Sequence, residues 1–178
     1  MPFALPPGSG SLKLGHRMDF TEVAVASLYK KALAEAEAKL STLNVAEGRR
    51  PNAGGLNGWV FEQTVRYCLA QELRKRGRRA PMQEQVPLAG RARIDLLVGR
   101  AAIELKARGS FGASDVKYSS YRKSVEKQGW VYLYLTMQET HAPYKAATES
   151  AFGSKRAFFL DTQGDWTRFV TTVIGLQA

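Results

Sequence analysis

The stretch RIDLLVGRAAIELKA, residues 93–107, contains two short apolar runs on either side of a Gly-Arg pair. A two-residue turn with glycine in the first position is typical of a type II′ β-hairpin. The sequence therefore predicts two antiparallel strands joined at Gly99 and Arg100. The resulting pairs are Val98–Ala101, Leu97–Ala102, Leu96–Ile103 and Asp95–Glu104.

Alternation of side chains along these strands separates an apolar face from a charged face. The apolar face carries Ile94, Leu96, Val98, Ala101, Ile103 and Leu105. The opposite face carries Arg93, Asp95, Leu97, Ala102, Glu104 and Lys106. A turn of odd length would set Asp95 against an apolar residue and mix the two faces, so the even register is favoured.

Two acids stand opposite each other in this register. The Cβ atoms of such a pair are about 4.5–5.5 Å apart, where like charges are destabilising. A hard cation would compensate, since Mg²⁺ is commonly held by one or two carboxylates with water and substrate phosphate. Lys106 follows Glu104 on the same face, within reach of a phosphate or a metal-bound water. The alternative is a solvated face of weak surface ion pairs. Because this register pairs acid with acid, we interpret Asp95 and Glu104 as metal ligands.

Composition indicates one domain and a polyanionic partner. A chain of 178 residues with 44% hydrophobic residues is long enough for one packed core. Its net charge of +10 favours nucleic acid. A membrane is disfavoured, because the most regular helical stripe is Ala-rich and no apolar run approaches about 18 residues. The single Cys68 cannot form an intrachain disulfide, which suits the cytoplasm. Residues 1–17 lack a secretory-signal pattern and are expected to form a flexible tail.

Helical and strand patterns extend in both directions from the hairpin. Asp19 and Glu22 form a capping-box pattern at the start of an N-terminal helix over residues 18–45, whose apolar stripe either packs in the core or forms a dimer. Asn57 is expected to cap a second helix that ends near Lys75. The remaining predicted elements are strands over 82–87, 92–98 and 101–107, a helix over 114–127, a strand over 130–137, and a C-terminal extension over 138–178 with a further strand and a closing helix.

This order resembles the PD-(D/E)xK nuclease superfamily, which has the restriction endonuclease-like fold. Its shared core is an αβββαβ unit with a mixed central sheet flanked by helices, matching residues 57–137. The resemblance implies Asp95 as the first acidic motif, Glu104-Leu105-Lys106 as the (D/E)xK motif, and Glu62 as the acid on the first core helix. It further implies that these acids hold Mg²⁺, or Mn²⁺ in its place, and that the lysine assists the attacking water or the transition state.

The match departs from the family pattern at two points. Ile94 stands where a proline often precedes the aspartate. The RecB-like branch carries a Gln-x-x-x-Tyr element on the second helix, and this chain has Lys117-Tyr118-Ser119-Ser120-Tyr121 there. Glu62 also has an alternative role, an exposed i,i+4 ion pair with Arg66.

Phosphodiester hydrolysis is the reaction that such a site predicts, because Mg²⁺ orients a phosphate and generates a hydroxide nucleophile. Nothing indicates a histidine metal site, a nucleophile with a histidine base, or a Walker loop. Basic side chains are expected to follow the nucleic-acid backbone. With Tyr121, which could equally belong to a core stripe, the predicted contacts are Arg74, Lys75, Arg76, Arg78, Arg79, Arg93, Arg108, Lys117 and Arg122.

The leading hypothesis is therefore a Mg²⁺-dependent DNA endonuclease of restriction, recombination or repair type. A short domain needs a homodimer to cut both strands in one encounter. The alternative is a noncatalytic basic protein that binds nucleic acid through the same fold.

Overall fold

The computed structural model describes residues 20–46, 53–88, 92–107, 117–137 and 142–177. Over these residues the chain is an α/β protein with five helices and a five-stranded, mixed, open sheet. The helices are α1 (Glu22–Ala46), α2 (Ala53–Lys75), α3 (Lys117–Lys127), α4 (Ala142–Phe152) and α5 (Asp165–Gly175). The strands are β1 (Met82–Pro87), β2 (Arg93–Val98), β3 (Ala101–Lys106), β4 (Val131–Thr136) and β5 (Ala157–Phe159).

The strands lie in the order β1-β2-β3-β4-β5, so β2 and β3 are inside the sheet. The β1–β2 and β2–β3 pairs are antiparallel, whereas β3–β4 and β4–β5 are parallel. The hairpin register is confirmed for Leu96↔Ile103, Leu97↔Ala102 and Val98↔Ala101. Gly99 has a φ of 59°, as the first position of a type II′ turn requires.

Helices cover both faces of the sheet. One hydrophobic cluster joins α1, α2 and α5 to one face, with Tyr29, Phe61 and Phe169 among its buried side chains. A second cluster joins α3 and α4 to the other face through Tyr118 and Phe152. Buried strands of this kind need apolar residues on both sides, and β2 and β3 supply them.

The N-terminal stripe, for which both core packing and dimer formation were open, packs in the core. Val25 and Tyr29 are buried, and the Tyr29 ring meets Phe61 edge-on with centroids 5.5 Å apart. The predicted start of this helix at residue 18 lies outside the described residues, in which Phe20 and Thr21 are not helical. It begins at Glu22, where the Thr21 hydroxyl accepts a hydrogen bond from the Ala24 amide. Asp19 and residues 1–17 lie outside the described residues.

Asn57 does not cap the second helix, because α2 already begins at Ala53. Gly54 and Gly55, which precede Asn57, belong to the helix. Packing of an apolar face contributes more to helix stability than the propensity of one or two residues. The predicted start of the next helix, at residue 114, lies outside the described residues.

The predicted separation of faces fails at one position. Ile94 packs in the second cluster with Leu97 and Ala102, whereas Leu96 belongs to the first cluster. The neighbouring strand carries a left-handed residue, Gln85, with a φ of 51° at this level of the sheet. Gln85 lies beside Asp95, at the level where the side chains of β2 change face.

Candidate active site

The site forms where β2 and β3 diverge. Their ladder ends at Leu96↔Ile103, and Asp95 is the next residue on β2. Its Oδ2 atom accepts a hydrogen bond of 2.8 Å from the Leu105 amide, so the carboxylate lies against the backbone of β3. The predicted pair Asp95–Glu104 is therefore not part of the ladder, and Asp95 reaches the neighbourhood of Glu104 and Lys106 through its side-chain bond to the Leu105 amide.

Glu104 is a buried acid with a partner on each oxygen. Its side chain is 6% exposed. Oε1 forms an ion pair of 2.6 Å with the Lys106 ammonium, and Oε2 accepts a hydrogen bond of 3.1 Å from the Tyr132 hydroxyl. Tyr132 comes from β4, the parallel neighbour of β3, and is itself buried. The sequence reasoning did not identify this tyrosine, because one aromatic residue in an apolar strand gives no signal of a role at a site.

Glu62 joins the site from α2. The Gln85 amide nitrogen donates to Glu62 Oε2 at 3.2 Å and to Asp95 Oδ1 at 3.4 Å, linking the helix acid to the strand acid. Arg66, the alternative partner of Glu62, instead forms an ion pair of 2.6 Å with Glu84.

Gln85 is a second site residue that was not predicted from the sequence. It lies in β1 between the pairs Glu84↔Leu96 and Val86↔Ile94, which places it beside Asp95. Among the described residues it alone combines a side chain with a positive φ. Residues held in such conformations cluster at functional sites, where surrounding contacts compensate for the strain. The available signal for a role of Gln85 at the site was that it is a polar residue in register with Asp95.

The pKa values of the site residues are shifted because several carboxyl groups lie close together. Burial, followed by the charge of Glu104, raises the pKa of Asp95 to about 7. Burial also raises the pKa of Glu62, although the hydrogen bond from Gln85 opposes the shift. Burial alone would lower the pKa of Lys106, but the charges of Glu104 and Asp95 outweigh it and raise that pKa. At neutral pH the site therefore combines a protonated lysine with a carboxyl that is close to its titration point.

Tyr132 keeps its proton for the same reasons. Burial and then the charge of Glu104 raise the pKa of its hydroxyl. The hydroxyl is consequently a hydrogen-bond donor to Glu104 throughout the physiological pH range. It orients a carboxylate that burial would otherwise disfavour.

The donor set suits Mg²⁺ chemically, because Asp95, Glu104 and Glu62 offer carboxylate oxygens. In the described residues, however, no three His, Cys, Asp or Glu side chains form a ready-made metal cluster. The Gln85 amide and the Lys106 ammonium engage oxygens of these acids instead.

No protein-family model, curated protein or solved structure matches the chain.

The basic cluster at the end of α2 divides into two groups. Lys75 and Arg76 lie 3.5 Å and 3.6 Å from the two oxygens of the buried Glu72. Arg74, Arg78 and Arg79 line a cavity of about 590 Å³ instead. The sequence predicted the cluster as one nucleic-acid contact, and the structure distinguishes a partly neutralised group from a group that faces a cavity.

The other predicted contacts are more scattered. Arg93 is exposed on β2. Tyr121 packs against the second cluster with its ring 6.1 Å from that of Tyr118. The Arg122 guanidinium binds Glu126 at 2.9 Å and the Ala151 carbonyl at 3.3 Å, which ties α3 to α4. Arg108 and the side chain of Lys117 lie outside the described residues.

In the part of the chain that the structure describes, no helix has the length and apolar character needed to cross a membrane.

Proposed function

We propose that the chain is a Mg²⁺-dependent endonuclease of the PD-(D/E)xK type, with a restriction endonuclease-like core, that hydrolyses DNA phosphodiester bonds. The observation that carries the proposal is the meeting of Asp95, Glu104 and Lys106 at the divergence of two central strands. Glu62 joins them through Gln85. Placing a buried Glu104 beside two half-buried acids and one lysine is costly unless it serves binding or chemistry.

Each side chain has a role that follows from its contacts. Asp95, Glu104 and Glu62 would hold Mg²⁺, which when bound orients a phosphate and activates water. Tyr132 positions Glu104 through its hydroxyl. The carboxyl of Asp95 binds a cation only when ionised, so its pKa of about 7 makes cation binding compete with a proton near neutrality.

Lys106 acts in this proposal as a cation. Its raised pKa keeps the ammonium protonated at neutral pH, so it is a poor general base. Its side chain is 36% exposed, whereas that of Glu104 is 6% exposed. The ammonium therefore reaches solvent from a buried carboxylate and can donate hydrogen bonds to the phosphate as negative charge develops.

Nucleic acid is the proposed partner, because the chain carries a net charge of +10. The homodimer and the cytoplasmic location belong to the same proposal. The cytoplasm fits the lone Cys68, which is buried and has a pKa raised to about 12, mainly by burial.

A noncatalytic nucleic-acid-binding protein is the second candidate. The favouring observation is that Lys106, Tyr132, Gln85 and the Leu105 amide already bind the acids. Such a network can stabilise a fold without a metal.

Plasmid cleavage distinguishes the two candidates. Purified chain is incubated with supercoiled plasmid in Mg²⁺ or in a chelator, and Asp95→Asn, Glu104→Gln and Lys106→Met are compared with wild type. We expect Mg²⁺-dependent cleavage that each substitution reduces at least 100-fold. Matched controls are Asp161→Asn, Glu35→Gln and Lys155→Met, which alter exposed residues and should retain activity. Wild-type binding without cleavage, across supercoiled, linear, branched and single-stranded DNA, would support the noncatalytic candidate.

A further inference from the structure

The arginine-lined cavity is built by the end of α2 and the segment that leads into β1. Arg66, Ala70, Leu73 and Arg74 line it from the helix, and Arg78, Arg79, Ala80 and Met82 line it from the following segment. Four arginine residues line this space of about 590 Å³, and one of them, Arg66, is paired with Glu84. Arginine suits phosphate recognition, because its planar fork donates two parallel hydrogen bonds to phosphate oxygens.

The end of α2 creates this cavity by reversing the chain. Gly77 has a φ of 67°, and the Arg78 amide donates to the Leu73 carbonyl while the Gly77 amide donates to the Arg74 carbonyl. These two bonds define a Schellman motif. The motif returns Arg78 and Arg79 toward the helix that carries Arg74, so the cluster is held in place by the backbone.

The cavity and the acidic site lie along one seam between α2 and β1. At the acidic end Gln85 binds Glu62, and next to it Glu84 binds Gln63 at 2.8 Å and Arg66 at 2.6 Å. Arg66 also lines the cavity. From Glu62 to Arg74 the helix advances about 18 Å, which is the length of about five base pairs of duplex DNA.

We infer that the cavity binds a backbone phosphate of the nucleic acid about 18 Å from the point of cleavage. The inference rests on the proposed function, and it assigns Arg74, Arg78 and Arg79 to one defined subsite. Lys75 and Arg76 are outside it, because Glu72 already neutralises part of their charge. Glu84 reduces the positive charge available to the phosphate, because it pairs with Arg66.

Salt-dependent binding tests the subsite without requiring cleavage. Affinities of wild type, Arg74→Ala, Arg78→Ala and Arg79→Ala for a fluorescent 20-base-pair duplex and for the matching single strand are measured in metal-free buffer at several salt concentrations. Each phosphate contact contributes about 0.9 to the slope of log affinity against log salt for duplex and about 0.7 for single strands. We expect each substitution to weaken binding severalfold and to reduce the slope by about one contact.

The charge-matched control is Arg100→Ala, at the exposed turn between β2 and β3, which should change the slope less. Glu84→Gln should have the opposite effect and tighten binding by releasing Arg66. Equal slopes for the cavity variants and Arg100→Ala would overturn the subsite, provided that thermal unfolding shows all variants to be folded. The duplex and single-strand measurements decide which form of nucleic acid the cavity prefers.

Cleavage near a DNA end then tests the distance. If the proposed function holds, wild type should not cut within about five base pairs of one end of a duplex. The triple variant Arg74→Ala, Arg78→Ala, Arg79→Ala should lose this end effect. A wild-type protein that never cuts would refute the nuclease proposal, and the binding slopes would still decide whether the cavity holds phosphate.

Discussion

Asp95 shares its surroundings with a second acid and a lysine, and its carboxyl has a pKa near 7 rather than its ordinary value of 3.8. Between these values the folded protein keeps a proton that the unfolded chain has lost. Unfolding then releases a proton, so raising the pH favours unfolding. The contribution of Asp95 to stability is therefore greatest below pH 4 and is lost as the pH approaches 7.

The first prediction concerns this pH window. Denaturation of the metal-free protein between pH 4 and pH 8 should show a loss of stability that is much smaller in Asp95→Asn. The difference should be about 1 kcal/mol or more, because one pKa unit corresponds to about 1.4 kcal/mol. Glu62 contributes a smaller change of the same sign, since its pKa is also raised. Asp161→Asn is the exposed control, and identical profiles for wild type and Asp95→Asn would contradict the prediction.

Sequence reasoning located Asp95, Glu104 and Lys106 because strand alternation and a two-residue turn are local rules. Glu62 was proposed only because it matches the acid on the first core helix of the nuclease superfamily. The described residues bring all four together. Gln85 and Tyr132 were missed for a physical reason. Their roles depend on a left-handed backbone in one strand and on a parallel strand contributed by a distant segment. Neither feature has a periodic signal in the sequence.

A second prediction follows from the backbone of Gln85. Gln85→Gly and Gln85→Ala both remove the amide that binds Glu62 and Asp95, so their difference reports the backbone alone. The glycine variant should be more stable by about 0.5–1 kcal/mol, because only glycine adopts a positive φ without steric cost. Urea denaturation measures the difference. At Gln83, an exposed residue of β1 with an ordinary φ, the order should reverse. If the glycine variant were the more stable, or the less stable, at both positions, backbone strain at Gln85 would be refuted.

At the scale of elements, the strands were predicted more accurately than the helix starts. Met82–Pro87 was predicted with its observed bounds, and β2 and β3 differ from prediction by one residue each at their ends. Their alternating or continuous apolar patterns are bounded by turns. The α1 and α2 starts were missed because a cap depends on local geometry, and several residues near each start are able to cap.

The third prediction compares two glycines of one element. Gly77 has a φ of 67° at the end of α2, whereas Gly58 lies inside the helix, and a Cβ meets nothing within 4 Å at either position. Gly77→Ala should therefore destabilise the protein by about 1 kcal/mol, and Gly58→Ala should stabilise it by about 0.5–1 kcal/mol. Thermal unfolding measures both. Effects of the same sign would show that backbone conformation does not control these positions.

Across the whole molecule, internal packing uses the apolar surface that first indicated a dimer. Val25 and Tyr29 of α1 are buried within the chain, and Leu33 and Ala36 are partly buried against the core, so only the partly exposed remainder of α1 is available to the proposed homodimer. The functional basis of the proposed dimer is separate from α1, because one proposed site would cut one strand at a time and a closed two-fold dimer would present two sites.

The fourth prediction tests this dimer by the order in which plasmid products form. Supercoiled plasmid is digested with Mg²⁺ at a series of protein concentrations, with the total extent of cleavage held equal by adjusting time. If two copies act together, the fraction converted directly to linear DNA should rise with protein concentration, because dimers dissociate on dilution. Light scattering over the same concentrations should show the corresponding change in mass. Nicked circles that always precede linear DNA, together with a constant monomer mass, would refute the dimer and leave the proposed chemistry of each site unchanged.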